Sequence, residues 1–277
     1  MRRETIFFIL LAITVILPFV GCTAANMTAE GVRYFNQARY DQAQRAFLEA
    51  FRRDPNNPDI SFNLAETYHQ SAKISLEKKE IAIAQQQYDE ANRYYRICLS
   101  INPNHLKSNR GLAAMYLELQ QPKMAFDHII NWLESNPASQ EPKIELARLH
   151  QEWAQIALAQ NDKKTADESI AKATELLQQV ITTEPNNYRA WRAIGFIREN
   201  NGDRENAIAA YQQSLLLNPN QTDLKNRLIT MGINPTNGTG IQITPTTTPT
   251  NIPADSTTTL KGATIWDNNS IGSIGYK

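Results

Sequence analysis

The chain has 277 residues with 28 basic and 28 acidic side chains, so it offers no basic excess to draw in nucleic acid. At 42% hydrophobic content it has enough apolar surface to bury a core over most of its length. Glycine is scarce before residue 231, and Ala, Leu, Gln, Glu, Lys and Arg dominate the middle, which favours helices over strands.

The first 21 residues read as a targeting signal rather than as part of the fold. MRR is a short positive region, IFFILLAITVIL an apolar one, and PFVGC a small-residue end before a cysteine. The apolar run from Ile6 to Val20, broken by Pro18, is about 15 residues, short of the ~20 that a membrane-spanning helix needs. The stretch FVGC resembles the lipobox of bacterial lipoproteins, an aliphatic residue, a small residue, Gly or Ala, then Cys. Phe19 departs from the usual Leu. The resemblance implies that Cys22 becomes the N-terminus and carries a diacylglycerol thioether and an amide-linked acyl chain. Thr23 in place of Asp implies the outer membrane, facing the periplasm. Anchoring to another envelope membrane, or an ordinary secretory cut near a cysteine, stays open. Lipid on Cys22 leaves Cys98, in YYRICLSINP, without a disulfide partner and in a packing role on a helix face.

From residue 24 the chain is punctuated by prolines 55, 103, 137, 185 and 219, at intervals of 48, 34, 48 and 34. Counting back from each proline, EGVRYFNQARYDQAQRAFLEAFRRDP places Gly31, Tyr34, Ala38, Tyr40, Ala43, Phe47 and Ala50 at fixed offsets. RAWRAIGFIRENNGDRENAIAAYQQSLLLNP places Trp191, Ile194, Gly195, Gly202, Ala207 and Tyr211 in the same way. These patterns resemble the tetratricopeptide repeat, in which two antiparallel helices form a unit closed by proline. The resemblance implies an all-α tetratricopeptide solenoid of five hairpins, over about residues 24–57, 58–105, 106–139, 140–187 and 188–221. Residues 222–232 read as a polar-faced capping helix that completes the 22–232 domain.

Each motif position has a packing reason. Gly31, Ala65, Ala113, Ala147 and Gly195 let the helices of a hairpin approach, and Ala43, Ala91, Ala125, Ala173 and Ala207 meet them. Tyr34, Tyr68 and Tyr116, with Phe47, Tyr95 and Tyr211, are expected to fill the space between neighbouring hairpins. Hairpins two and four contain 14 extra helix-forming residues each, with turns expected at EKKE and NDKKT and a capping box at Thr165 and Glu168. Shared between two helices, 14 residues add about 10 Å to each arm, so both hairpins should protrude from one edge of the solenoid. Ala72, Ile74 and Leu76 recur as Ala154, Ile156 and Leu158, the mark of a duplicated two-hairpin unit.

Residues 233–277, rich in Thr, Pro and Asn, have no helical period and read as a disordered tail. The four histidines have no metal-binding spacing, and no nucleophile elbow, phosphate loop or dinucleotide fingerprint is present. Neither a cofactor nor catalysis is therefore expected.

In tetratricopeptide proteins the first helices line a concave groove for a protein or peptide. Carried onto this chain, the resemblance implies groove residues Phe62, Glu66 and His69 in repeat two, and Arg110 and Glu118 in repeat three. In repeat four it implies Arg148 and Glu152, and in repeat five Arg192, Phe196 and Glu199. Arginine forks beside phenylalanine suit a peptide segment. The architecture is similar to tetratricopeptide lipoproteins of pilus, secretin or outer-membrane assembly. An adaptor for cell-wall hydrolases or synthases is the alternative, and an enzyme with its own groove a weaker third.

Overall fold

The computed structural model describes residues 24–233, so the signal, Cys22 and the tail from residue 234 lie outside the described residues. Among the described residues the structure is all-helical, in five hairpins and a closing helix. Helix α1 (24–36) pairs with α2 (Tyr40–Arg53), α3 (Pro58–Glu77) with α4 (Ile81–Ile101), and α5 (Leu106–Glu118) with α6 (Pro122–Ser135). The fourth pair is α7 (Glu141–Ala159) with α8 (Lys163–Thr183), the fifth α9 (Tyr188–Asn200) with α10 (Arg204–Leu217), and α11 (Thr222–Thr230) closes the row. The helices group into two compact units, 24–128 and 129–233 among the described residues. No described helix is long and apolar enough to cross a membrane.

The elongation of hairpins two and four is shared almost evenly between their helices. Helices α3 and α4 have 20 and 21 residues and α7 and α8 have 19 and 21, against 13 and 14 in hairpins three and five. Consequently the turn inside each hairpin recurs every 41 residues, marked by positive φ at Ala38, Lys79, Gln120, Asn161 and Gly202. All five turns have the same hydrogen bonds. In the second, Lys79 N–H donates to the Leu76 carbonyl and Glu80 N–H to that of Ser75; in the fifth, Gly202 donates to Glu199 and Asp203 to Arg198. This is the Schellman ending, which satisfies helix carbonyls at the cost of one left-handed residue. Only Gly202 takes that conformation without Cβ strain, so the pattern of bonds rather than glycine defines the turns.

Prolines act one turn later. After α2, α4 and α8 the chain bends at Asp54–Asn57, Asn102–His105 and Glu184–Asn187, each turn closed by a backbone hydrogen bond from its fourth residue to its first. The fourth residue then caps the next helix: Asn57 accepts from Asp59 N–H, His105 from Ser108 and Asn187 from Ala190.

Packing follows the small-residue positions. Ala43, Ala91, Ala125, Ala173 and Ala207 are fully buried, as are Ala65, Ala113 and Ala147. A Cβ on Gly31 would stand 2.5 Å from the Phe47 ring, and one on Gly195 2.5 Å from that of Tyr211. Those two rings therefore seat against the first helix of their own hairpins, and Tyr211 also reaches the next element, packing with Leu224, Leu228 and Met231. Tyr95 does reach the next hairpin, where its hydroxyl would meet a Cβ on Gly111 at 2.6 Å. The long fourth hairpin carries a small core of its own at its far end, Ala154, Ala157 and Ala166 with Ile170 against them. Its cap also differs from expectation. Asp162, not Thr165, caps α8, accepting from the Thr165 N–H and hydroxyl, while Glu168 pairs with Lys164. A short carboxylate directly after the turn reaches the first free N–H groups, and this leaves Thr165 inside the helix as a donor. Cys98 is buried and free, and burial pushes its thiol up from the ordinary range.

Candidate functional site

In the first unit the first helices α3 and α5 lie side by side, and all five expected residues of repeats two and three lie on them. Ala65 is buried on α3, and beside it Glu66 reaches Tyr95 of α4 while His69 reaches both Tyr95 and, on α5, Glu118. A hydrogen-bonded chain results. The Tyr95 hydroxyl donates to Glu66 at 2.9 Å, His69 Nδ1 lies 3.3 Å from that hydroxyl, and His69 Nε2 lies 2.8 Å from Glu118. Lys73 adds a cation 3.9 Å from Glu118, and Gln70 donates to the other oxygen of Glu66. His69 and Tyr95 are buried, and burial next to Glu66 holds the Tyr95 hydroxyl well above its ordinary range. These groups belong to the scaffold that shapes the surface more than to the surface itself.

What this scaffold presents outward is an aromatic and cationic edge. Phe62 is half-buried, its ring 5.3 Å from that of His105 and 6.4 Å from that of Tyr95. The exposed Lys107 places Nζ 5.7 Å from the Phe62 centroid, and Arg110 is half-buried one turn further along α5. A flat apolar ring beside cations can take an aromatic or acidic peptide side chain.

The second unit handles its expected residues differently. Glu145 is completely buried and is held from two sides, by Arg148 Nε at 2.7 Å and by Arg189 Nη2 at 2.5 Å. Arg148 also pairs with Glu152, and Arg189 with Glu141. Gln151 ties α7 to α9 through the Ala193 carbonyl at 3.3 Å. In repeat five the capping helix uses the expected residues: Arg192 pairs with Asp223, and Arg227 donates to Glu199 at 2.6 Å while lying 5.4 Å from the Phe196 centroid. Tyr211 also donates to Glu199 at 2.7 Å, and burial together with that carboxylate raises its hydroxyl. Arg148, Glu152, Arg192 and Glu199 are thus engaged in ion pairs within the chain, that of Arg192 at the exposed surface, and Phe196 is partly covered.

Sequence reasoning missed Glu145, Arg189, Asp223 and Arg227. The spacing of Glu145 three residues before Arg148 was a readable signal of one pair. The closures from Arg189 and from α11 come from residues more than a hairpin helix away and leave no local trace. Among the described residues no cluster of His, Cys, Asp or Glu has the arrangement to hold a metal ion.

The pairing of short antiparallel helices, the small residues at their crossings and the proline turns define a class of helical-repeat protein. Family models of the tetratricopeptide repeat match residues 28–72 and 188–221, within the first two hairpins and over the fifth, so the chain carries tetratricopeptide repeats. It is similar to human RNA polymerase II-associated protein 3, 25% identical over 69% of this chain and 27% of that protein. It is also similar to human protein O-mannosyl-transferase TMTC1, 23% identical over 76% of this chain and 21% of that protein. The chain therefore spans about a quarter of the length of these relatives or less. Among solved structures, a thermophilic tetratricopeptide protein of Thermus thermophilus is 18% identical, with TM-score 0.47 over 75% of this chain and 97% of that one. MamA is 16% identical, with TM-score 0.39 over 77% of this chain and 97% of its own.

Proposed function

We propose that this chain is a non-enzymatic scaffold, anchored by lipid on Cys22 in the outer membrane of a bacterial cell and facing the periplasm. It holds a protein or peptide against its first helices while a larger envelope complex of the pilus, secretin or outer-membrane type is put together. The observation that carries the binding half is the α3 and α5 surface, where Phe62 lies against His105 and Tyr95 with Lys107 over its ring and Arg110 one turn further along α5. Tetratricopeptide repeats are interaction modules, and this surface has the chemistry such a module needs. The anchoring half is supported by the signal-like first 21 residues and by the FVGC stretch that closes on Cys22. Several acyl chains, each methylene contributing about 0.8 kcal/mol on burial, hold a protein stably where one chain does not.

Two measurements test the reading. Cells fed a labelled fatty acid should incorporate it into the wild-type chain and not into Cys22→Ser. Proteins captured from solubilised envelopes by the wild-type chain should be retained at least about tenfold less well by Phe62→Ala combined with Arg110→Glu, equivalent to about 1.4 kcal/mol. Equal retention of the same proteins would contradict the surface assigned.

A further inference from the structure

Three features of the molecule stand outside the function just described: the two exposed isoleucines at the far end of hairpin two, the depression of about 430 Å³ beside Tyr188 and Arg189, and the polar turn edge of the first unit. The third carries an inference, which rests on the acylation of Cys22 proposed above. Helical structure is already established at Ala24, whose carbonyl accepts from the Thr28 hydroxyl at 2.9 Å. Two peptide steps from Cys22 reach no further than about 7 Å. The headgroup layer is itself roughly 5–7 Å thick on each side of the hydrocarbon. A lipid on Cys22 therefore leaves no tether, and the end of α1 lies at the headgroups.

The rest of that edge follows from the hairpin. Helices α1 and α2 are antiparallel, with Gly31 against Phe47, so the C-terminal end of α2 lies at the same end as Ala24. Helix α3 starts from that end too, and His105 Nε2 ties the start of α5 to Asp59 at the start of α3, at 3.3 Å. The edge exposes Pro55, Asn56, Asp59, Pro103 and Asn104. The exposed large apolar residues of this unit, Val32, Ile81, Ile83 and Met124, are all elsewhere. Such an edge suits hydrated headgroups and not hydrocarbon. Ile81 and Ile83 stand at the opposite end of hairpin two, about 30 Å away along the 20 residues of α3.

We propose that the proline-turn edge of the first unit is a lipid-facing surface, seated directly on phospholipid headgroups, and that the far end of hairpin two is presented away from the bilayer. The apolar tip is then not a membrane-insertion element for the leaflet that anchors the chain.

The test uses the full acylated chain in phosphatidylethanolamine and phosphatidylglycerol vesicles, with Cys98→Ala and a fluorophore on either Asn56→Cys or Lys78→Cys. Quenching comes from nickel chelated on lipid headgroups, and acylation is checked by mass on the same samples. The label at position 56 should be quenched at least about threefold more than that at 78, given the headgroup dimensions above. An insert of about 20 Gly and Ser residues after Cys22, spanning roughly 25 Å, should remove the contrast. Equal quenching at both positions in acylated protein, or a contrast that survives the insert, overturns the seating while leaving the anchor intact. A sample that carries no acyl chain overturns the anchor, and the seating with it.

Discussion

Hairpins two and four are one frame used twice, and the difference between them separates what the fold demands from what a surface is free to change. At an offset of 82 residues, Ala65, Ala72, Ala84 and Ala91 match Ala147, Ala154, Ala166 and Ala173, all essentially buried. The left-handed turn residues Lys79 and Asn161 stand in the same relation. Positions that face the neighbouring first helix have not been kept. Asn63, Glu66, His69 and Tyr95 stand where the fourth hairpin has Glu145, Arg148, Gln151 and Leu177. One frame supports a tyrosine–histidine–carboxylate chain, the other a buried carboxylate between two guanidinium groups. The tips differ as well: exposed Ile81 and Ile83 stand where Lys163 and Thr165 follow the second turn.

The comparison is broken most severely at Glu145. Glu145→Ala removes the buried carboxylate that Arg148 and Arg189 share, each guanidinium keeping its second partner, Glu152 or Glu141, and should cost about 2–3 kcal/mol. Denaturant unfolding of the variant beside Asn63→Ala, its counterpart in hairpin two, should show an effect confined to the first of them. Frame positions come next. A valine at Gly195 forces the Tyr211 ring aside and should cost about 1–3 kcal/mol, and a valine at Gly31 should do the same against Phe47. If both substitutions proved silent in thermal melts, the close packing assigned to these crossings would be wrong.

Acid should weaken both units, and by a smaller amount. Burial, helped by Arg96 and Lys172 respectively, lowers His128 and His150 from 6.5 to about 4. The unfolded chain then binds more protons than the folded one between those values, so this stability is present above pH 6.5 and is lost as pH falls towards 4. After allowance for partial exposure the loss is about 1–2 kcal/mol for each histidine. Melting temperatures recorded across that window should fall less steeply in His128→Gln and in His150→Gln. The smallest effect sharpens the turn equivalence. Lys79→Gly removes the strain of a left-handed side chain and should stabilise by about 0.5–1 kcal/mol. Asn161→Gly should gain less, because asparagine tolerates that conformation.

The repeat frame was legible because it is written in local terms: alanines and glycines at fixed offsets, and prolines at fixed intervals. The 14-residue additions could be divided between two helices because each remained helix-forming up to a turn signal. Other features depended on partners distant in sequence. The Phe47 and Tyr211 rings also seat against Gly31 and Gly195, which leave room for them, a contact that spacing alone does not reveal. At the start of α8 two candidate caps competed, and Asp162 won over Thr165 by standing at the end of the Schellman turn. The candidate surface was legible as a set of helix positions, but not as a division of labour. Glu66, His69 and Glu118 turned into a hydrogen-bonded chain with Tyr95, while Arg192 and Glu199 were taken by the capping helix through Asp223 and Arg227.

The claim that first-helix side chains do the binding is tested most directly by a photoreactive amino acid placed in the chain in living cells. Positions Phe62 and Arg110 on first helices are compared with the exposed second-helix positions Gln86, Asp89 and Gln178. A discrete crosslinked partner from Phe62 and Arg110, with none from the second helices, is the predicted result. Crosslinks formed from Gln86, Asp89 or Gln178 and absent at Phe62 and Arg110 would contradict it.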